Sequence, residues 1–406
     1  MVMLYAIALS VGALVIVIAP FFVFTPRPLK PMGTSHSAAE LEAYLNTLTA
    51  NETPPALDVV VMKNGSIVYS KAFGVSDGPS QKMAKSDDVY HYWSVTKLFT
   101  ATAIMQLADD HKLALDDPVT KYLHEFRTSL ASGISVDITI RQLLNHTSGM
   151  KNLGPTDLVG WIHHLGDPEV NQVTLVGERM QSYQALVSNP GTIGAYSNAG
   201  YIILGAIVEV ASGQPYEEFV RNRILKPLSM KSSDFVYRKE LLDHAASGSH
   251  PFFHFYTPLL FAIHHDWFTS WVSKITSQRM WLNPLNTDYT GPTGILGTGE
   301  DLARFGQAFL DGCIGKDSRI LQATTCAKML DDGYGGNDGP DKDRMGLGWH
   351  WWDTVPIPFK GHGGGGPGFG AQLAIFPAQK MVVVILANDT LIDRVGLTQL
   401  VAATFQ

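Results

Sequence analysis

Segments patterned as strands stand near both ends of this 406-residue sequence, and segments patterned as helices fill its middle. That order constrains the fold more than any other feature, because one sheet can form only if the two ends of the chain come together. Residues 37–49 read as an amphipathic helix, with Leu41, Tyr44, Leu45 and Leu48 on one side. Residues 57–62 and 67–73, joined by Asn64-Gly65, read as a hairpin. A helix is expected from Ser94 to about Leu113, and the pattern stays mostly helical to about residue 290, including 200–212 and 216–225. Strand patterns return at 346–352, 361–363, 372–376 and 381–388, before a last helix over 391–405. The expected fold is α+β: an antiparallel sheet carrying the terminal helices, with a helical part inserted between its halves. The α/β part takes about 38–85 and 290–406, and the helical part about 86–289. A cleft at their junction is the natural place for a site.

Three short motifs converge on that junction. Ser94-Val95-Thr96-Lys97 leads directly into the apolar run that begins at Leu98. Residues i and i+3 share a helix face, so the Ser94 hydroxyl and the Lys97 amine can point into one cleft. A Ser hydroxyl is a poor nucleophile until a base takes its proton, and a Lys serves as that base only when burial or nearby charge lowers its pKa. At a helix start, free N–H groups also favour a developing oxyanion. In Tyr196-Ser197-Asn198, the phenol is a second candidate base or proton relay, and the Asn198 amide suits holding a substrate amide. The run Gly361-His362-Gly363-Gly364-Gly365 would let a substrate lie close against backbone.

Read together, these motifs resemble the serine β-lactamase and penicillin-binding-protein superfamily, and more closely its class C branch with esterase and D-peptidase relatives. Leu115-Asp116-Asp117-Pro118-Val119, Leu143-Leu144-Asn145-His146-Thr147-Ser148-Gly149, Leu228-Ser229-Met230 and the stretch from Gly294 to Ala303 add to the likeness, which runs from about 38 to 400. The resemblance implies a β-lactamase/transpeptidase-like fold and a serine hydrolase working through an acyl-enzyme on an ester or amide, without metal or organic cofactor. Ser94, Lys97 and Tyr196 would be catalytic. Asn198, His362, Gly363, Gly364 and Gly365 would hold the substrate, with the backbone N–H groups of Ser94 and Gly365 as the oxyanion hole. Two alternatives stay open: β-lactam chemistry proper, and an idle binding or scaffold protein on the same fold. His362 stands where β-lactamases carry Lys. A mostly neutral imidazole there favours an esterase, amidase or D-peptidase over efficient β-lactam hydrolysis.

Competing motifs fail on order. Gly74-Val75-Ser76-Asp77-Gly78 and His362-Gly363-Gly364-Gly365 mimic an α/β-hydrolase, but there the His-Gly run precedes the nucleophile and the Ser opens a helix. Fourteen His include no metal-protease motif. A net charge of -7 with no basic run argues against nucleic acid as a partner, leaving a small-molecule or peptide substrate. Cys313 and Cys326 fall in a stretch that reads as helical and are expected to be buried thiols.

Residues 1–24 carry no charged side chain and are almost wholly apolar. As a helix they would span about 36 Å, enough to cross a bilayer. With no basic residue before the apolar run, an uncleaved anchor (1–26) is expected over a signal peptide, followed by a Pro-rich stalk (27–37). Arg27 and Lys30 after the span point inward by the positive-inside rule, whereas the resemblance places the catalytic body (38–406) outside the cytoplasm. The aromatic-rich segment 245–290 is read as helical core, with a lid over the site or a membrane-contacting face as alternatives.

Overall fold

The structure, a computed structural model, describes residues 35, 37–154, 157, 160–168, 170–254, 257, 270–276, 279–315, 318–334 and 344–406. The two ends of the chain do build one sheet. Strands β1 (Ala56–Lys63), β2 (Ser66–Asp77) and β3 (Lys82–Met83) come from the N-terminal side. Strands β4 (Gly333–Tyr334), β5 (Arg344–Gly346), β6 (His350–Trp352), β7 (Phe359–Gly366), β8 (Phe369–Phe376) and β9 (Met381–Ala387) come from the C-terminal side. The order is β4-β5-β6-β7-β8-β9-β1-β2-β3, antiparallel throughout. The seam is the β1–β9 pair, in register from Leu57 opposite Ala387 to Lys63 opposite Met381.

Both faces of this seam are covered, which is why its strands are runs of Val, Ile and Leu and not alternating patterns. Successive residues still point to opposite faces. Leu57, Val59 and Val61 pack with Leu41 and Leu45 of α1 (Ala38–Ala50) and with Leu397, Leu400 and Val401 of α6 (Arg394–Phe405). Val60 and Met62 belong to the larger core on the other side. That core holds Phe99 of α2 (Thr96–Asp109), Ile203 of α3 (Asn198–Ser212) and Phe305 of α4 (Gly299–Leu310). Each such side chain, fully buried, contributes about 1.5–3 kcal/mol. Helices α2 and α3 are buried nearly all round, so they are central elements and not surface helices.

Three local expectations change. Helix α2 begins at Thr96, and Ser94 lies on a 3-10 turn, Trp93–Val95, just before it. Trp93 has φ +48°, a left-handed conformation that a bulky residue rarely adopts, and it turns the chain sharply into the helix. The segment 216–225 is a short α-helix, Tyr216–Val220, that continues as a π-helical turn, Arg221–Leu225. Cys313 and Cys326 are not thiols but a disulfide, 13 residues apart. Cys313 has already left α4, with φ +61°, and the chain doubles back through a 2.9 Å bond from Ile320 N–H to the Cys313 carbonyl. That return brings it to Cys326 in α5 (Ala323–Asp331).

Among the described residues no helix is long and apolar enough to cross a membrane. The expected anchor and nearly all of the stalk lie outside the described residues, as do 255–256 and 258–269 of the aromatic segment. The described parts of that segment are not the expected helical core: Ser249–Pro251, Val272–Thr276 and Arg279–Leu282 pair as a three-stranded antiparallel sheet, and buried Trp271 stacks on His164, ring centroids 4.1 Å apart.

Candidate active site

The turn carrying Ser94 is pressed against β7, and glycine makes this possible. A Cβ at Gly364 would stand 2.0 Å from the Tyr92 carbonyl oxygen and 3.2 Å from the Ser94 nitrogen. No other residue type fits without moving the strand off the turn. Beyond this point β7 has a free edge. Its partner β6 pairs only from Trp352 opposite Phe359 to His350 opposite Gly361. From His362 onward, among the described residues, no strand pairs with that edge of β7.

Lys97, one helical turn after Ser94, is completely buried. Its Nζ lies 3.1 Å from Ser94 Oγ, 2.6 Å from Asn198 Oδ1 and 3.1 Å from the Pro292 carbonyl oxygen. Burial pushes its pKa well below the usual lysine range. Among the described residues no carboxylate lies within ion-pair distance to hold the proton on.

Tyr196 and Asn198 arrive on the loop entering α3, and that loop is pinned. Ser197 caps α3 by accepting the Gly200 N–H. The Ser197 N–H donates to His146 Nδ1 (3.1 Å), and the Asn198 N–H donates to Asn152 Oδ1 (2.8 Å). So His146, in the Leu143–Gly149 turn, is a scaffold residue. The Lys97 Nζ lies over the Tyr196 ring, 4.9 Å from its centroid. Asn198 turns its carbonyl oxygen to Lys97, so it orients the candidate base, a contact that the expected substrate role had not included.

His362 is buried, not open to the cleft. Its Nδ1 donates to the Gly363 carbonyl oxygen (2.7 Å), and its ring lies 4.4 Å from that of His350 and 6.1 Å from that of Tyr196. Burial is the main cause that pushes its pKa well below 6.5, and any charge on neighbouring His350 or Lys97 would lower it further. His350 is lowered to about 4, mainly by burial, and buried His146 is also well below its ordinary value. The imidazoles beside Tyr196 are therefore neutral near pH 7.

All of Ser94, Lys97, Tyr196, Asn198 and the 362–365 strand thus come together. Ser76 does not: it is buried inside β2, 3.5 Å from the Lys82 carbonyl oxygen, and opens no helix. Asn152, the Pro292 carbonyl, His350 and Arg394 also line the site and had not been picked out. No motif spacing marks them. The one available signal was the unbroken run of glycines from 363 to 366, more than a single close approach requires.

Comparison with known proteins agrees with this geometry. The family described as Beta-lactamase matches residues 41–404. The chain is 27% identical over 347 residues to Penicillin-binding protein 4* of Bacillus subtilis (strain 168), covering 81% of this chain and 67% of that protein. It spans only 37% of the length of another relative, Protein flp of Staphylococcus aureus (strain MW2). Two solved structures share the fold. A D-stereospecific amidohydrolase from Streptomyces sp. has TM-score 0.65 and 22% identity, covering 90% of this chain and 98% of that one. EstCE1, a hydrolase with promiscuous acyltransferase activity, has TM-score 0.68 and 19% identity, covering 91% and 98%. This chain belongs to the β-lactamase family, on the fold of the serine β-lactamases and penicillin-binding proteins.

Proposed function

We propose that the protein is a serine hydrolase that cleaves an ester or amide through an acyl-enzyme on Ser94. One observation carries the reading: the buried Lys97 Nζ lies 3.1 Å from Ser94 Oγ, with no carboxylate among the described residues in ion-pair contact to hold its proton on. A neutral amine donates two hydrogen bonds, here to Asn198 Oδ1 and the Pro292 carbonyl. It keeps one lone pair, which accepts the Ser94 hydroxyl proton. Burial favours this state over the ammonium.

Ser94 Oγ attacks the substrate carbonyl carbon, and its proton passes to Lys97. The backbone N–H groups of Ser94 and Gly365 receive the oxyanion that forms. The proton then goes by way of Tyr196 to the departing amine or alkoxide as its bond to the carbonyl carbon breaks. Water attacks the remaining acyl group over the same proton path and restores the Ser94 hydroxyl. The free edge of β7 from His362 to Gly365 is the strip along which an extended substrate lies. The amidohydrolase and acyl-transferring relatives support ester or amide chemistry on this fold.

The Cys313–Cys326 disulfide supports a body outside the cytoplasm, because such bonds persist in oxidising compartments. With it goes the reading of residues 1–24 as a membrane anchor. The full chain should then stay in carbonate-washed membranes, whereas a chain starting near Thr34 should be soluble and active. Full-length protein in the soluble fraction with Met1 intact would contradict the anchor.

A fluorophosphonate and a tagged penicillin, with the adduct mapped by mass spectrometry, test the chemistry. Label should sit on Ser94, Ser94→Ala should lose both label and turnover, and Ser76→Ala should keep both. An adduct on Ser76, or none anywhere, would overturn the reading, the second outcome in favour of an idle fold.

A further inference from the structure

The far side of the sheet has an unused strand edge. Bonds at both ends of β1 show which way its backbone turns. The Ala56 carbonyl accepts the Asn388 N–H (3.4 Å), and just past the strand the Asn64 N–H donates to the Lys380 carbonyl (2.9 Å). Even-numbered residues of β1 therefore bond toward β9, and odd-numbered ones toward β2. Leu57, Val59 and Val61 stand opposite Phe73, Lys71 and Tyr69, so these pairs carry the β1–β2 ladder. The N–H and C=O groups of Ser70 and Ala72 then point away from β1, off the edge of β2. Strand β3 does not reach them. It pairs only with Val75 and Asp77, and a bond from the Ala84 N–H to the Gly74 carbonyl (2.9 Å) is the last along that edge. Among the described residues nothing bonds the backbone groups of Ser70 and Ala72 on that side.

The open edge borders a cleft of about 760 Å³. Across it stands the first turn of α4, and residues 84–87 and 229–232 close its ends. The acids of this cleft are already engaged. Glu300 accepts the Ser70 hydroxyl (3.1 Å), and Asp301 accepts the Ser232 N–H (2.7 Å) and the Ser233 hydroxyl (3.0 Å). Asp87 stands 3.2 Å from His244 Nδ1. The cations are not engaged in the same way. Among the described residues the Lys85 and Lys231 ammonium groups make no hydrogen bond or ion pair, and Arg304 has only a loose 3.8 Å contact with Asp301. Ser70 and Ala72 sit opposite Val60 and Asp58, on the face of the sheet that carries α4, so every second side chain of an added strand would point into the cleft. A strand edge with free donors and acceptors, beside unspent cations, suits an extended acidic peptide.

We propose that this cleft docks an acidic peptide segment of a partner protein, which joins the sheet as a strand beside β2, end to end with β3. Its backbone bonds Ser70 and Ala72, and its acidic side chains reach Arg304, Lys231 and Lys85. In the sheet order β2 stands four places from β7, about 19 Å away. A docked segment therefore leaves the Ser94 cleft open, and the site does not depend on the reaction assigned to Ser94.

A fluorescein-labelled hexapeptide alternating glutamate and threonine is the probe, read by fluorescence anisotropy against the full chain in mild detergent. It should bind saturably, and its counterpart with lysine for glutamate should bind about ten-fold more weakly or worse. Ala72→Pro removes an outward N–H and spares the β1 ladder, so it should weaken binding about ten-fold, roughly 1.4 kcal/mol. Lys85→Glu with Lys231→Glu should weaken it as much without touching the backbone. Added salt should weaken the wild type more than that double variant. Bound peptide should also slow hydrogen exchange at the Ser70 and Ala72 amides. No saturable binding up to millimolar peptide overturns the proposal. So does equal binding of the two peptides, indifference to the paired lysine changes, or an absence of protection at Ser70 and Ala72. A dimer that Ala72→Pro splits, with no peptide bound, overturns it too and gives the edge to a second copy of this chain.

Discussion

The two faces of β7 offer different environments to a site. The face of His362 and Gly364 is buried, and it meets three neutral imidazoles and a lysine whose proton burial has weakened. The face of Gly363 and Gly365 is more open and meets the Arg394 guanidinium, which stays charged. Proton transfer profits from the first environment, because a base must be uncharged to accept. One strand, by alternation alone, presents the two environments.

The largest effects should fall on the buried face and should not distinguish charged from uncharged substrates. Lys97 and Tyr196 share one proton path, so losing either should cost about 10²–10⁴ in kcat/KM on charged and uncharged esters alike. Their losses should not add: Lys97→Ala with Tyr196→Phe should be little worse than the poorer single variant. Steady-state kinetics on one ester of each kind checks this. Near-normal turnover by Lys97→Ala would remove the buried face from the chemistry and end the comparison.

Much of that face was legible in the sequence. The Ser94–Lys97 spacing is local, and helical geometry alone brings the pair together. The β1–β2 hairpin was legible for the same reason: Asn64 and Gly65 take the positive φ values that such a turn requires. The open face was not legible. Arg394 reaches β7 only after α6 has packed on the sheet, and the glycine run 363–366 signals a close approach without saying what approaches. The disulfide was hidden likewise, because helical patterning gives no sign that the chain leaves α4 at Cys313 and doubles back. The true start of α2 was missed for a local reason: Trp93 adopts a left-handed conformation, which propensity would assign to Gly or Asn.

The next effect is on stability, and it comes from imidazoles that burial keeps neutral, one in the site and one in the nearby core. His350 is lowered to about 4 and so is His91, each chiefly by burial. In the unfolded chain both return to about 6.5. Above pH 6.5 both are neutral in either state and contribute no pH dependence. Between 6.5 and about 4 the unfolded chain binds protons that the native state refuses, so stability falls as pH falls. The loss is at most about 3.5 kcal/mol for each, because every tenfold difference in proton affinity between the two states is worth about 1.4 kcal/mol. Urea unfolding between pH 7 and 4.5 measures it, and His350→Gln should flatten the decline. A decline unchanged by that substitution would mean that the imidazole beside Tyr196 is not held neutral by the fold.

The smallest effect tests the buried face most sharply. His362 packs near Tyr196 and His350 and donates to the Gly363 carbonyl, but it presents no charge near neutral pH. His362→Ala should therefore lower kcat/KM about ten-fold on both kinds of ester, roughly 1.4 kcal/mol, by loosening the ring that carries the proton. The ratio between the two kinds should hold. Activity should rise with pH as Lys97 loses its proton, with no separate inflection near 6.5, because burial has moved the imidazole out of that range. Placing Lys at 362 is not expected to improve anion binding, since burial disfavours an ammonium in that pocket as it does at Lys97. If His362→Ala instead harms the charged ester selectively, the imidazole takes part in holding the anion, and the buried face would not be reserved for proton transfer.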